Sequence, residues 1–307
     1  MKKHLLLLLV LASQIAFSQG INVLSNEEIS LPAGSDGYFN PVLSPAGDFM
    51  IVTSADLQGL LKYDFSTRKI TPITAEAGAG FDAQISADGK TIVYRAKEYK
   101  DRLRYTSLKS MDLETGKVTE LVKPTRNLEG VAVKEGTVLS VENGKLKSQR
   151  LAGKTLTVTP PVSSIKDGKL YVTTGNTTRL VAPFGEEAGY LWNSVSPDGK
   201  KLLFYVMDQG KAYVSNIDGS NPVSLGTLRA AKWMGNDWVV GMLDYDDGHF
   251  ITSSKIVAVT SNGAVRQDLT DSSTIATYPT PAADASKIVY NTGDGKVFVM
   301  NIRTINN

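Results

Sequence analysis

The chain contains no cysteine. That excludes disulfide staples, thiolate metal sites, a cysteine nucleophile and the lipid-bearing cysteine of a bacterial lipoprotein. Histidine is almost as scarce, with only His4 and His249 in the chain, too few for a three-histidine metal centre. A Ser-His-Asp triad would have to use His249, and no G-x-S-x-G elbow accompanies it. Walker and dinucleotide-binding glycine motifs are missing. Helical apolar spacing is nearly absent after residue 20, and no apolar run reaches the roughly 20 residues of a membrane-spanning helix. Excess charge is lacking too. Without Lys2 and Lys3 the chain holds 31 basic and 31 acidic residues, so it offers no electrostatic footprint for nucleic acid or an anionic membrane.

What is present begins with the leader. Lys2 and Lys3 precede an unbroken apolar run at 5–12, and Ala16-Phe17-Ser18 places small residues at −3 and −1 of a cleavage site. This is the anatomy of a secretory signal peptide covering 1–18. Residues 19–307 are then expected to be one exported domain, periplasmic or extracellular, not a lipoprotein, with no integral membrane segment.

Beyond the leader, tight-turn dipeptides recur. Aspartate-glycine occurs at 36, 88, 167, 198, 218, 247 and 294, and asparagine-glycine at 143 and 262. They supply the positive φ angles of hairpin turns. Between them lie short runs rich in β-branched and aromatic residues, such as 49–53, 91–94, 201–206 and 296–302, which predict an all-β chain. Residues 44–51 read SPAGDFMI, 86–93 SADGKTIV, 196–203 SPDGKKLL and 282–289 AADASKIV, with weaker copies at 133, 165 and 233. The mean spacing of about 40 residues is that of a four-stranded propeller blade. Seven anchors predict seven blades, or six if the two short units at 133–196 share one. The strand-like segment 21–31 precedes the first unit, and the last unit ends one strand short. An N-terminal strand is therefore expected to close the ring.

The SPDGK signature followed by two hydrophobic residues, a strand such as 212–217 and then Asp218-Gly219, resembles the WD-like propeller repeats of TolB, which also occur in propeller domains of the dipeptidyl peptidase IV class. The resemblance covers nearly all of residues 19–307 and is strongest in the units at 44, 86 and 196. It implies a fold and leaves function open. No α/β-hydrolase domain of the kind that accompanies peptidase propellers is present.

Candidate site residues fall in loops. Asp244, Asp246 and Asp247, beside His249, could chelate Ca²⁺ through oxygen ligands. The glycine spacing misses the calcium-loop template, and the alternative is an exposed acidic loop. Residues 97–105 mix basic and aromatic side chains, among them Tyr99, Arg102, Arg104 and Tyr105, types enriched at binding hot spots; the alternative is a solvated long hairpin. Trp192, Trp233 and Trp238 either line a sugar site or fill the core. Ser66-Thr67-Arg68-Lys69 matches S-x-x-K but sits in a predicted turn.

With strands running from the channel outward, the SPDG-type turns lie on one rim. The opposite rim collects Tyr99, Arg102, Arg104, Tyr105, Arg126, Glu186, Glu187, Asp208, Asp244, Asp246, Asp247 and His249. Function on a rigid scaffold concentrates in such variable loops. The expected role is binding of a protein, small molecule or glycan there, without catalysis. The alternative is a metal-dependent hydrolase or lyase acting on a carbohydrate or lactone through loop carboxylates.

Overall fold

The computed structural model describes residues 19–31, 37–151, 156 and 158–305; the signal peptide expected at 1–18 lies outside them. Strand β1 (Gly20–Glu28) comes first in the chain and last in the ring. Blade 1 comprises β2 (Phe39–Leu43), β3 (Phe49–Thr53), β4 (Leu60–Asp64) and β5 (Ile70–Thr74). Blade 2 comprises β6 (Gln84–Ile85), β7 (Thr91–Lys100), β8 (Leu103–Asp112) and β9 (Val118–Thr125). Blade 3 has β10 (Leu128–Lys134), β11 (Thr137–Glu142) and β12 (Lys145–Arg150), and blade 4 has β13 (Val162–Lys166), β14 (Lys169–Thr174) and β15 (Thr177–Leu180). Blade 5 comprises β16 (Tyr190–Val195), β17 (Lys201–Val206), β18 (Lys211–Asn216) and β19 (Val223–Gly226). Blade 6 comprises β20 (Arg229–Met234), β21 (Trp238–Asp246), β22 (Ile251–Thr260) and β23 (Arg266–Asp268). Blade 7 comprises β24 (Ala276–Pro281), β25 (Lys287–Thr292) and β26 (Val297–Ile305), completed by β1.

The fold is thus an all-β, seven-bladed propeller. The two short repeat units form separate blades, so the six-blade alternative falls. Their lengths leave each with three strands among the described residues, where the repeat size had predicted four. The expected closure is present: β1 runs antiparallel to β26, from Gly20 opposite Ile305 to Glu28 opposite Phe298.

The core explains why single units cannot fold alone. Every hydrophobic cluster draws on two adjacent blades. One joins Phe49, Ile51 and Leu60 of blade 1 to Ile92 and Tyr94 of blade 2, and another joins Leu203 and Val214 of blade 5 to Val239 and Val257 of blade 6. Strand β3 is buried at all five positions. A sheet with two apolar faces needs a neighbour on each, and only a closed ring gives every sheet both.

On one rim the turn between the first and second strands meets the end of the third strand. Phe65 N donates to Asp48 O (3.0 Å), Leu113 N to Lys90 O (2.8 Å) and Ile217 N to Lys200 O (2.9 Å). We call this the serine-turn rim, after Ser44, Ser86 and Ser196. The other is the hairpin rim, where second strands turn into third.

Blade 4 departs from the rim assignment read from the sequence. A three-stranded blade 3 ends on the serine-turn rim, so the next blade starts there and runs inverted. Accordingly Pro161, before β13, lies against Gly199 of the blade 5 serine turn. At the other end of β13, Gly168 O accepts a hydrogen bond (2.8 Å) from Tyr190 N, the first residue of β16. Lys166 likewise reaches Glu129, near the start of β10, at 3.2 Å. The Asp167-Gly168 turn therefore belongs to the hairpin rim. Because blade 4 also has an odd strand count, blade 5 resumes the original polarity.

Candidate functional site

Two hairpins stand out on the hairpin rim. Strands β7 and β8 pair along ten residues, from Thr91 opposite Asp112 to Lys100 opposite Leu103, and β21 and β22 pair from Trp238–Thr260 to Asp246–Ile251. The second strands of the other blades span five or six residues. The excess length carries both tips beyond the packed rim, so their apolar side chains meet solvent: Tyr99 is 73% exposed, Phe250 76% and Tyr245 62%. Hydrophobics of that size in the open mark an interaction surface when they gather. The first tip also carries Lys100, Arg102 and Arg104, and the second Asp246, Asp247 and His249.

The three aspartates are not gathered for a metal. Asp244 points inward from β21 and gives one oxygen to Arg229 Nη1 at 2.8 Å, with its side chain only 1% exposed. Asp246 approaches the same guanidinium at 3.4 Å. The Asp247 carboxylate is turned into its own loop, accepting from Phe250 N (2.8 Å) and His249 N (2.9 Å), and these bonds hold its pKa below the usual range. Among the described residues no group of three His, Cys, Asp or Glu side chains is disposed to hold a metal ion. The loop's own backbone donors and the inward strand position claim these carboxylates first.

Of the remaining predicted residues, Arg104 and Arg126 line one cavity of about 310 Å³ together with Thr106, Thr125 and Leu128. Arg102 lies at the hairpin turn with φ of 63°, and Tyr105 is half-buried beside it. Glu186 and Glu187 are exposed in the connection between blades 4 and 5. That connection is tied to the loop carrying Asp208 by Met207 N donating to Gly189 O (2.8 Å). These acidic residues and the basic hairpin belong to different blades, and among the described residues no hydrogen bond or ion pair joins them.

At the mouth of the ring the sequence reading singled out Trp192 and missed the four residues that share its backbone position. Asn40, Asp82, Trp192, Ala230 and Tyr278 all have φ between 47° and 53°, a left-handed conformation that costs a non-glycine residue of order 1 kcal/mol. Each lies four residues before the turn-entry position of its unit (Ser44, Ser86, Ser196, Met234 and Ala282). In β2, β16, β20 and β24 the register shifts at this point, as a bulge does when it re-aims a side chain. The partly exposed Trp192 stands edge-on to Tyr205 with ring centroids 5.0 Å apart, and Asp82 pairs with Arg95 at 2.9 Å. Next to Asp82, the exposed Phe81 ring faces Arg95 and Lys97. The connection bearing Phe81 is drawn tight at Gly80, where any Cβ would fall inside the Thr53 side chain. The signal that could have found these residues is their constant offset from the repeat anchor.

Charge at the mouth is set by its enclosure. Lys232, on β20, is open to the channel yet surrounded by protein, which pushes its ammonium pKa down; the charge of Asp82, from blade 2, acts the other way. Its Nζ donates to Thr280 Oγ1 of blade 7 at 2.7 Å. Arg229 is held charged, first by the Tyr205 hydroxyl and then by Asp244. Of the three tryptophans, Trp238 is core, Trp233 is half-buried with Nε1 on Ser194 O (3.3 Å), and Trp192 alone reaches the mouth. A second cavity of about 400 Å³ opens on the serine-turn rim between blades 1 and 2, lined by Asp48, Lys62, Asp88, Lys90 and Glu114 among others. It is larger, but its walls are structural turns.

No family model and no curated protein matches the chain. Solved structures do. TolB from Acinetobacter baumannii is 14% identical with a TM-score of 0.51, over 80% of this chain and 57% of that one. A chain of the mitotic checkpoint complex is 9% identical with a TM-score of 0.60, over 98% of this chain and 99% of that one. Oligogalacturonate lyase from Vibrio parahaemolyticus is 13% identical with a TM-score of 0.47, over 86% and 78% respectively. The resemblance read from the repeats holds at the level of the fold, and at these identities the likeness is one of fold alone.

Proposed function

We propose that this protein is an exported binding module, working in the periplasm or outside the cell, whose ligand or partner docks on the hairpin rim around the channel mouth. The observation that carries this reading is the pair of overlong hairpins on blades 2 and 6. Nothing in ring closure or blade packing requires their extra length, and it lifts Tyr99, Tyr245 and Phe250 into solvent. Exposed aromatics on rigid strands are efficient anchors because they lose little conformational entropy on binding. The mouth between them offers Trp192 and Tyr278, on bulged inner strands, together with Phe81 and Asp82.

The two tips carry opposite charge, basic on blade 2 and acidic on blade 6, which favours a partner with complementary charge at its two ends. Charge arranged this way sets orientation and association rate more than affinity. Among the described residues no helix is long and apolar enough to cross a membrane, in keeping with a module that meets its partner in an aqueous compartment.

The test is capture from the native envelope with wild-type protein and two variants, Tyr99→Ala/Arg102→Ala and Tyr245→Ala/Phe250→Ala. A partner held by wild type and lost by either variant, with melting temperatures unchanged, supports the reading. Retention by both variants refutes it.

A further inference from the structure

We propose that the cavity formed by β8, β9 and the start of β10 is an oxyanion site, in which Arg104 and Arg126 hold the carboxylate or phosphate group of a small ligand. The inference rests on the hairpin-rim reading and narrows it to one place and one chemistry.

Arg104 and Arg126 are 22 residues apart in sequence, and pairing brings them together. Thr106 lies opposite Thr125 across β8 and β9, so the two arginines sit at the same end of that strand pair, and both line the same cavity of about 310 Å³. Neither guanidinium has an ion-pair or hydrogen-bond partner among the described residues. No carboxylate lines the cavity: Glu98 and Asp101, on the hairpin that carries Arg104, are not among its lining residues, and the acidic residues beside the start of β10 are engaged elsewhere. Glu129 receives Lys166 Nζ and Gly144 N, both at 3.2 Å, and Glu142 receives Lys147 Nζ at 2.8 Å. Two like charges thus share one concavity without a counter-charge, an arrangement that a bound anion relieves. A guanidinium presents two parallel N–H groups matched to a pair of oxygens, and the hydroxyls of Thr106 and Thr125 add neutral donors. Leu128 completes a lining that is otherwise polar, and the volume is at the small end of ligand pockets. One oxyanion group with a short organic body fits this lining.

The experiment is calorimetric titration of residues 19–307 at low ionic strength with inorganic phosphate, with succinate, and with succinamide as the uncharged match. Phosphate or succinate is expected to bind and succinamide is not. Losing either charge-assisted contact should weaken binding by about tenfold or more, so Arg104→Ala and Arg126→Ala should each show that loss. Arg104→Lys, which keeps the charge and loses the fork, should fall between. Arg303→Ala, an exposed residue of β26, should bind like wild type. Binding of phosphate alone assigns a phosphoryl ligand, and of succinate alone a carboxylate. The proposal is overturned if neither binds, or if a folded Arg104→Ala/Arg126→Ala double variant binds as wild type does. Such a failure leaves the hairpin-rim reading standing on its own variants, none of which lines this cavity.

Discussion

Arg229 and Asp244 meet at 2.8 Å within blade 6, the guanidinium on the inner strand and the carboxylate on the second. The pair fixes the base of the blade 6 hairpin and takes Asp244 out of any metal site. Removing Arg229 would strand a carboxylate whose side chain is 1% exposed. Such losses cost about 3–5 kcal/mol in a closed interior, and the partial exposure of Arg229 reduces this to about 2–3 kcal/mol. Urea unfolding should show that loss for Arg229→Ala and a clearly smaller one for Asp247→Ala, which touches only its own turn. Calcium at millimolar concentration should leave the wild-type melting temperature unchanged. A clear rise would mean that a cation binds after all.

Ring closure rests on β1, and Gln267 of blade 6 grips it twice: Ile21 N donates to Oε1 (2.9 Å), and Nε2 donates to Ile21 O (2.6 Å). Gln267→Ala should cost about 1–3 kcal/mol because it leaves both backbone groups of Ile21 short of a partner. Deleting residues 20–28 should cost far more, since it bares the edge of β26 and uncovers the apolar face between blades 6 and 7. Equal melting temperatures for parent and deletion would place the closure elsewhere.

Acid should loosen the turns before the core. Asp64 accepts from Thr67 N and from the Ser66 and Thr67 hydroxyls, which lowers its pKa to about 2. Asp88 and Asp198 are lowered by the hydroxyls of Ser86 and Ser196. A carboxyl whose folded pKa is depressed contributes stability that is complete above its unfolded value, near 3.8, and is lost as pH falls toward the folded one. Stability should therefore hold on this account from pH 7 to about 5 and fall between about 4 and 2. In Asp64→Asn that acid limb should be shallower. An unchanged slope would assign it to other groups.

Much of this fold is legible in the chain because each unit repeats the same local chemistry. Ser196-Pro197-Asp198-Gly199 needs no tertiary context to turn, and residues 201–206 read as the strand they form. Blade polarity is less accessible. Whether the Asp167-Gly168 turn lies on one rim or the other depends on whether blade 3 has three strands or four, which the turn residues themselves do not encode. The site divides the same way. The length and composition of 97–105 mark a hairpin, but the meeting of Arg104 with Arg126 depends on the register of β8 against β9. The sequence could not separate Trp192 from the core tryptophans and gave no sign of Tyr278; the left-handed backbone is what turns both to the mouth.

The most direct test of which face works compares the two rims with one binding assay. Three sets of alanines are required: Tyr99 with Arg102, Tyr245 with Phe250, and, on the serine-turn rim, Asp88 with Asp198 and Asp218. For a partner captured by the wild-type protein, the first two sets should weaken binding at least tenfold, the effect of losing an anchor worth about 1.4 kcal/mol or more, while leaving the melting temperature in place. The third should lower the melting temperature, because each aspartate holds its turn through a serine hydroxyl (2.6 Å in all three), and leave affinity unchanged in the folded fraction. Affinity that survives both hairpin sets and is lost with the serine-turn set, at an unchanged melting temperature, would contradict the account and put the working face on the other side of the ring.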